Sequence, residues 1–191
     1  MVTFILKGEN MIIETERLIL REWQLDDVDA MVDGLSNFDV AKYLTVPFPY
    51  TKENAVDFIE KHNKNDESNY YFAVTKKSNG AVIGGTSLSC KDDKNLENGG
   101  LWLNQKFHNN GYGTELWYAM IKFWFSDKSR NVLISGYYSF NNASEKLHKK
   151  LGFKVIGKKK QFCPALKEDV DAITVRLTRD DFEQICLSKN I

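Results

Sequence analysis

Gly111 and Gly113 stand two apart in the stretch His108-Asn109-Asn110-Gly111-Tyr112-Gly113-Thr114, just before a run with helical apolar spacing. The first N–H groups of a helix lack intrahelical acceptors, and the helix dipole adds partial positive charge there. Glycine has no Cβ to hold an anion off, so main-chain N–H groups can approach phosphate oxygens. The plain alternative is a helix start that needs unusual dihedrals, and the spacing alone leaves both readings open. Other phosphate loops fit poorly: GxxxxGK[ST] is absent, and the third glycine of GxGxxG is missing.

A second group lies downstream. Asn141 and Ser144 are three apart at the start of a predicted helix, hence on neighbouring parts of one face. Asn141 or Asn142 can also serve simply as its N-cap. His148 follows in the run Glu145-Lys146-Leu147-His148-Lys149-Lys150. An imidazole there titrates near neutrality and suits proton transfer, while the run equally reads as a solvated face. Cys90, Cys163 and Cys186 are odd in number and widely spaced, and no Cys/His cluster has metal-ligand spacing. No metal site is expected, and the thiols read as reduced in a cytoplasmic protein.

The elements that must position these residues follow from pattern. Arg17 to Arg21 reads as a first strand, and Asp26-Asp27 open a helix through Val28, Met31, Val32 and Leu35. Residues 38 to 50 are irregular and aromatic, broken by Pro47 and Pro49. Thr51 then resembles an N-cap, with Asn54 at the third position of its helix. Tyr70 to Thr75 and Ala81 to Leu88 flank the turn Ser78-Asn79-Gly80 as a hairpin, with a bulge expected at Gly84-Gly85. A polar loop from Lys91 to Asn98 leads to a strand at Gly99 to Leu103, and then to the glycine-bearing stretch and its helix. Val132 to Tyr138 is a strand and Ala143 to Leu151 a helix that Gly152 ends. Closing strands lie near Lys154 to Ile156 and Ala172 to Leu177. That order is α+β with a mixed, mostly antiparallel sheet in one domain.

Composition bounds the partners. A chain of 191 residues, 42% hydrophobic and 13% aromatic, builds one packed domain. With 26 basic and 26 acidic residues it has no cationic field for polyphosphate, so direct nucleic-acid binding is not expected. Val2 to Leu6 is too short for a membrane span. Met11 offers an alternative start, making 1–10 an N-terminal extension and 11–191 the domain. Monomer and homodimer both stay open.

Three blocks carry a resemblance. His108 to Gly113 looks like the (Q/R/H)xxGxG/A acyl-CoA diphosphate loop of the GNAT (Gcn5-related) N-acetyltransferase family. Asn141, Ser144 and Leu151-Gly152-Phe153 are similar to its NxxS…LGF segment. Glu14-Thr15-Glu16-Arg17-Leu18-Ile19-Leu20-Arg21 resembles the opening of its RimJ/RimL-like branch. Leu101-Trp102-Leu103 and the segment from Asp169 to Phe182 agree with that branch. The resemblance spans nearly the whole chain after residue 11.

It implies a GNAT fold with a splayed central strand pair flanked by helices on both faces. It also implies acetyl transfer from acetyl-CoA to a primary amine without a covalent enzyme intermediate. By resemblance, His108, Asn109, Asn110, Gly111, Tyr112, Gly113 and Thr114 hold the diphosphate, and Tyr112 either covers the cofactor or packs plainly. Leu101, Trp102 and Leu103 lie along the pantetheine arm, with the Leu103 N–H on the thioester carbonyl. Asn141 contacts pantetheine or fixes the strand end, and Ser144 can donate to the thiolate. His148 stands where many members carry a Tyr that acts as general acid, and where the RimJ/RimL-like branch often has an apolar residue. Branch members commonly place a Glu base where this chain has Asn98, with Glu97 beside it; an Asn amide cannot accept a proton at neutral pH. A small shift or a bulge at Gly99-Gly100 would let Glu97 substitute; otherwise a water chain or another acid serves. Tyr43, Phe48, Tyr50 and Trp23 are candidates for the wall of the acceptor cleft, or anchors of that segment to the core. The acceptor implied is a protein or peptide α-amine. A small amine such as a polyamine, amino acid or aminoglycoside is the alternative, and a non-catalytic acyl-CoA sensor is the rival from another class.

Overall fold

Period-2 alternation in the first half of the chain produces an antiparallel meander. In the computed structural model, residues 2–7, 10–62, 69–92 and 95–189 are described, the side chains of 6, 7, 10, 90–98 and 189 excepted. The meander runs β1 (Thr3–Lys7), β2 (Asn10–Glu14), β3 (Leu18–Arg21), β4 (Asn69–Lys76), β5 (Val82–Asp92), β6 (Asn95–Leu103), paired in that order. Ile13, Leu18, Leu20, Phe72, Val74, Ile83 and Leu88 point to one face and are fully buried. The helix α4 (Tyr112–Trp124) covers them with Leu116, Trp117, Met120 and Trp124. Each such side chain contributes about 1.5–3 kcal/mol on burial. The opposite face, carrying Ala73 and Trp102, packs under α1 (Val28–Leu35) and α3 (Lys52–Lys61) through Met31, Leu35, Ala55 and Ile59.

The second half forms a smaller sheet. Here β7 (Val132–Tyr138) and β8 (Lys154–Cys163) flank β9 (Glu168–Thr178), both antiparallel to it. Between β7 and β8 lies α5 (Asn142–Lys150), and α6 (Arg179–Lys189) closes the described chain. The end strand of the first sheet, β6, lies beside β7 of the second without joining it in a ladder. This is the expected mixed α+β architecture with a parted central strand pair and helices on both faces.

Several elements differ from the pattern reading. Thr3–Lys7 forms an edge strand against β2, so part of the segment expected as an extension adds to the sheet. The segment Lys91 to Asn98 is not a loop: β5 runs to Asp92 and β6 starts at Asn95, because ladder pairing uses main-chain groups and tolerates polar side chains. The closing strands are likewise longer than their apolar cores, and α2 (Phe38–Ala41) forms inside the aromatic segment, capped by Asn37. The Gly84-Gly85 bulge falls one residue earlier, since Val74 pairs with Gly84 and Thr75 with Val82, leaving Ile83 extra. Those two glycines serve packing instead. A Cβ on Gly84 would sit 2.2 Å from the Trp102 carbonyl oxygen, and one on Gly85 2.6 Å from the Trp23 ring. Thr51 and Asn54 form the N-cap pair as read, each side chain accepting from the other's main-chain N–H.

Candidate active site

The chain leaves β6 through Asn104, whose N–H donates to the Ile83 carbonyl at 2.9 Å. Asn104 caps a single 3-10 turn, Gln105 to Phe107, and His108 folds back so that Nε2 meets the Leu103 carbonyl at 2.9 Å. A carbonyl only accepts, so Nε2 carries the proton there. The Asn110 amide then donates to the His108 carbonyl at 2.8 Å. Gly111 follows with φ 79 and ψ −4, left-handed, and Tyr112 begins α4 in the right-handed region. A left-handed residue followed by a right-handed one turns successive N–H groups toward a common point, the backbone nest that binds anions. The N–H groups of Gly111, Tyr112 and Gly113 form this one, at the positive end of α4.

The two glycines have different reasons. Gly111 needs its left-handed backbone, which a side chain strains, and that satisfies the plain alternative. Gly113 does not: it is helical, and a Cβ there would meet only the Leu103 Cδ1 at 3.8 Å, an ordinary contact. The fold has room for a side chain at 113, and the glycine leaves that room open beside the nest.

Arg17 braces this corner. Its Nε donates to Glu115 Oε2 at 2.7 Å, its Nη1 donates to the Asn110 carbonyl at 3.0 Å, and the guanidinium lies 4.5 Å over the Tyr112 ring. Glu115 also accepts from the Thr15 hydroxyl at 2.5 Å and from the Arg17 main-chain N–H at 2.8 Å. Burial works against that carboxylate, but the donors from Thr15 and Arg17 outweigh it and hold its pKa below the ordinary value.

The β6 edge beside the nest is also arranged. The N–H of Asn104 turns to β5, while the carbonyls of Gly99 and Leu103 accept from Ser135 and His108 on the other side. Alternation then turns the main-chain groups of Leu101 and the Leu103 N–H away from β5, toward β7. Side chains bridge the gap lower down. Ser135 Oγ on β7 donates to the Gly99 carbonyl at 2.8 Å and lies 3.0 Å from His148 Nε2.

His148 is buried, at 5% exposure, so it stands apart from the solvated face that Lys146, Lys149 and Lys150 form. It faces inward because it lies four residues after Ser144, whose carbonyl its Nδ1 meets at 2.8 Å. That contact assigns the proton to Nδ1, and burial pulls the pKa down to about 4, so the ring is neutral at pH 7. The Ser144 hydroxyl lies 3.3 Å from the same nitrogen. Since Nδ1 is already a donor, the Ser144 proton is free to go elsewhere. Asn141 is the N-cap of α5, its Oδ1 accepting from the Ser144 N–H at 3.0 Å. Its Nδ2 still has two protons to donate.

The base candidates sit on β6. The ladder shifts there: Ser89 pairs with Asn98 and Cys90 with Leu96, so the bulge falls at Glu97 and not at Gly99-Gly100. The side chains of Glu97 and Asn98 lie outside the described residues.

The four aromatic candidates divide. Trp23 stacks on Trp102 at 6.4 Å and Tyr50 donates to the Asn54 carbonyl at 3.3 Å; both are buried in the core under α1 and α3. Burial raises the Tyr50 pKa to about 12. The burial of these two favours the core-anchoring alternative over the cleft wall. Tyr43 and Phe48 are half-buried at the surface, against Phe140 at 5.6 Å and Phe38 at 5.8 Å. Among the described residues no group of three or more His, Cys, Asp and Glu could hold a metal ion. No helix among them is long and apolar enough to cross a membrane.

Comparison with known proteins decides the family, because the acetyltransferase (GNAT) domain matches residues 17–154. The chain belongs to the GNAT acetyltransferase family. It is an acetyl-CoA-dependent N-acyltransferase, with acetyl-CoA as cosubstrate. The chain is 26% identical over 169 residues to the SPbeta prophage-derived uncharacterized N-acetyltransferase YokL of Bacillus subtilis, covering 88% of this chain and 93% of that protein. It superimposes on a GNAT-family acetyltransferase from Bacillus anthracis with a TM-score of 0.76 at 24% identity, covering 89% and 99% of the two chains. RimL, the ribosomal L7/L12 α-N-protein acetyltransferase solved with coenzyme A, gives 0.74 at 16% identity, over 89% and 99%. These two structural likenesses are of fold.

Sequence reasoning missed Ser135, Thr15 and the joint role of Arg17 and Glu115. Arg17 stood inside a quoted block, but its partner lies 98 residues away, and no local pattern joins them.

Proposed function

We propose that this enzyme acetylates the α-amino group of a protein or peptide in the cytoplasm. The observation that carries the catalytic reading is the left-handed to right-handed corner at Gly111-Tyr112, with room kept open at Gly113. There the N–H groups of residues 111 to 114 take the diphosphate of acetyl-CoA, and His108, Asn109 and Asn110 complete the loop. The pantetheine arm runs along Leu101, Trp102 and Leu103, pairing with main-chain groups that β5 does not use. The Leu103 N–H polarises the thioester carbonyl as charge develops on its oxygen.

The neutral amine attacks the carbonyl carbon, the C–S bond breaks, and the amine's proton leaves to a base. Glu97 supplies that base, directly or through water, since the Asn98 amide cannot accept a proton at neutral pH. The departing thiolate accepts a hydrogen bond from the Ser144 hydroxyl, whose proton the assigned tautomer of His148 leaves free. Asn141 uses Oδ1 as a cap and offers Nδ2 to the pantetheine amide. His148 acts through Ser144. Its buried ring, with Nδ1 donating to the Ser144 carbonyl, supports a positioning role over direct proton donation.

Two features support a protein acceptor: the fold shared with RimL, and the surface aromatic residues Tyr43 and Phe48. The test mixes the protein with acetyl-CoA and a panel of peptides, polyamines, amino acids and aminoglycosides, following free thiol release. Release dependent on peptides with a free α-amine is expected. Release only with small amines would move the acceptor class, and saturable coenzyme A binding without acceptor-dependent release would make the chain a sensor.

A further inference from the structure

We propose that Arg17 is a positioning residue for cofactor binding: by holding the Asn110 carbonyl, it aims the Gly111 N–H into the diphosphate nest. The inference rests on the loop reading above. It adds a residue 93 positions away, on the turn that precedes β3.

The peptide plane links the two groups. In a trans peptide the carbonyl and the following N–H point in opposite directions. Arg17 Nη1 draws the Asn110 carbonyl toward itself at 3.0 Å, so the Gly111 N–H must turn away from the guanidinium. Left to itself this plane is the loosest in the loop, because Gly111 has no Cβ to limit its rotation. The guanidinium restrains both neighbours of Gly111 at once, through the Asn110 carbonyl and the Tyr112 ring at 4.5 Å. A Cβ on Gly111 would lie 3.4 Å from Nη2, which shows how closely the group is applied to the corner.

The clamp is itself anchored. Glu115, one turn into α4, receives Arg17 Nε at 2.7 Å, the Arg17 main-chain N–H at 2.8 Å and the Thr15 hydroxyl. The guanidinium cannot swing without breaking that set. Its planar fork reaches Glu115 and Asn110 together; a lysine ammonium is a single point charge on a flexible stem and cannot reproduce both contacts.

The test uses calorimetry on the full chain with two ligands, coenzyme A and pantetheine, which lacks the diphosphate. Arg17→Ala is expected to weaken coenzyme A binding about tenfold and to leave pantetheine binding unchanged. Arg17→Lys is expected to weaken coenzyme A nearly as much, while its thermal unfolding midpoint reports that the fold persists. Equal weakening of both ligands, unchanged affinity in Arg17→Ala, or full affinity in Arg17→Lys would each overturn the proposal. Wild-type protein that bound coenzyme A no better than pantetheine would instead remove the loop reading beneath it.

Discussion

At the scale of single residues, the two glycines of the loop make opposite predictions. Gly111→Ala places a Cβ on a left-handed backbone, costing about 1 kcal/mol, so the variant should unfold at lower temperature and bind coenzyme A less well. Gly113→Ala meets only an ordinary contact, so thermal unfolding should match the parent. A bulkier Gly113→Val should keep most of the stability and lose binding, because its side chain fills the room beside the nest. A large stability loss in Gly113→Ala would show that the helix start, and not a ligand, demands that glycine.

His148 gives a pH prediction at the same scale. Burial depresses its folded pKa to about 4, below the ordinary 6.5. Between those values the unfolded chain binds a proton that the folded chain does not, so stability falls as pH drops through that window. The depression corresponds to about 3 kcal/mol as an upper figure. Urea denaturation at several pH values should show this slope in the parent, and His148→Phe should flatten it. Identical slopes would contradict the buried neutral ring.

At the scale of elements, Asn141 and Ser135 separate support from contact. Asn141→Ala removes the α5 cap and should cost about 1 kcal/mol in urea unfolding. If its amide also serves pantetheine, KM for acetyl-CoA rises as well; Asn141→Asp keeps the cap oxygen and should show the KM effect alone. Ser135→Ala removes the hydroxyl that donates to the Gly99 carbonyl, leaving that buried acceptor unmet at about 1–3 kcal/mol. Elements with strong apolar periodicity, such as α4 and β4, were legible in the sequence, as were the caps at Thr51 and Asn141. The full lengths of β5, β6, β8 and β9 were not, since their polar ends are held by ladder bonds that leave no mark on side-chain pattern. The edge strand Thr3–Lys7 escaped for a related reason: its partner, β2, also had too little pattern to be read.

At the scale of the whole molecule, function depends on a gap. The chain builds two sheets, and α4 carries it from the end of one to the start of the other, with its N-terminus beside the place where β6 and β7 part. The loop's unusual backbone was legible because glycine spacing reports backbone behaviour directly. The role of Arg17 and the inward turn of His148 were not, because both depend on which distant elements come together. The acceptor class comes from the resemblance alone, since aromatic residues in the 38 to 50 segment read alike whether they line a cleft or anchor a loop; Tyr50 lies buried in the core.

The central claim is that main-chain amides at the head of α4 grip the cofactor's diphosphate. The most direct measurement is an amide-resolved NMR titration with coenzyme A. Saturable shifts are expected, largest at Gly111, Tyr112, Gly113 and Thr114 and smaller along Leu101 to Leu103. Saturable shifts confined to other parts of the chain, with those four amides unmoved, would contradict it.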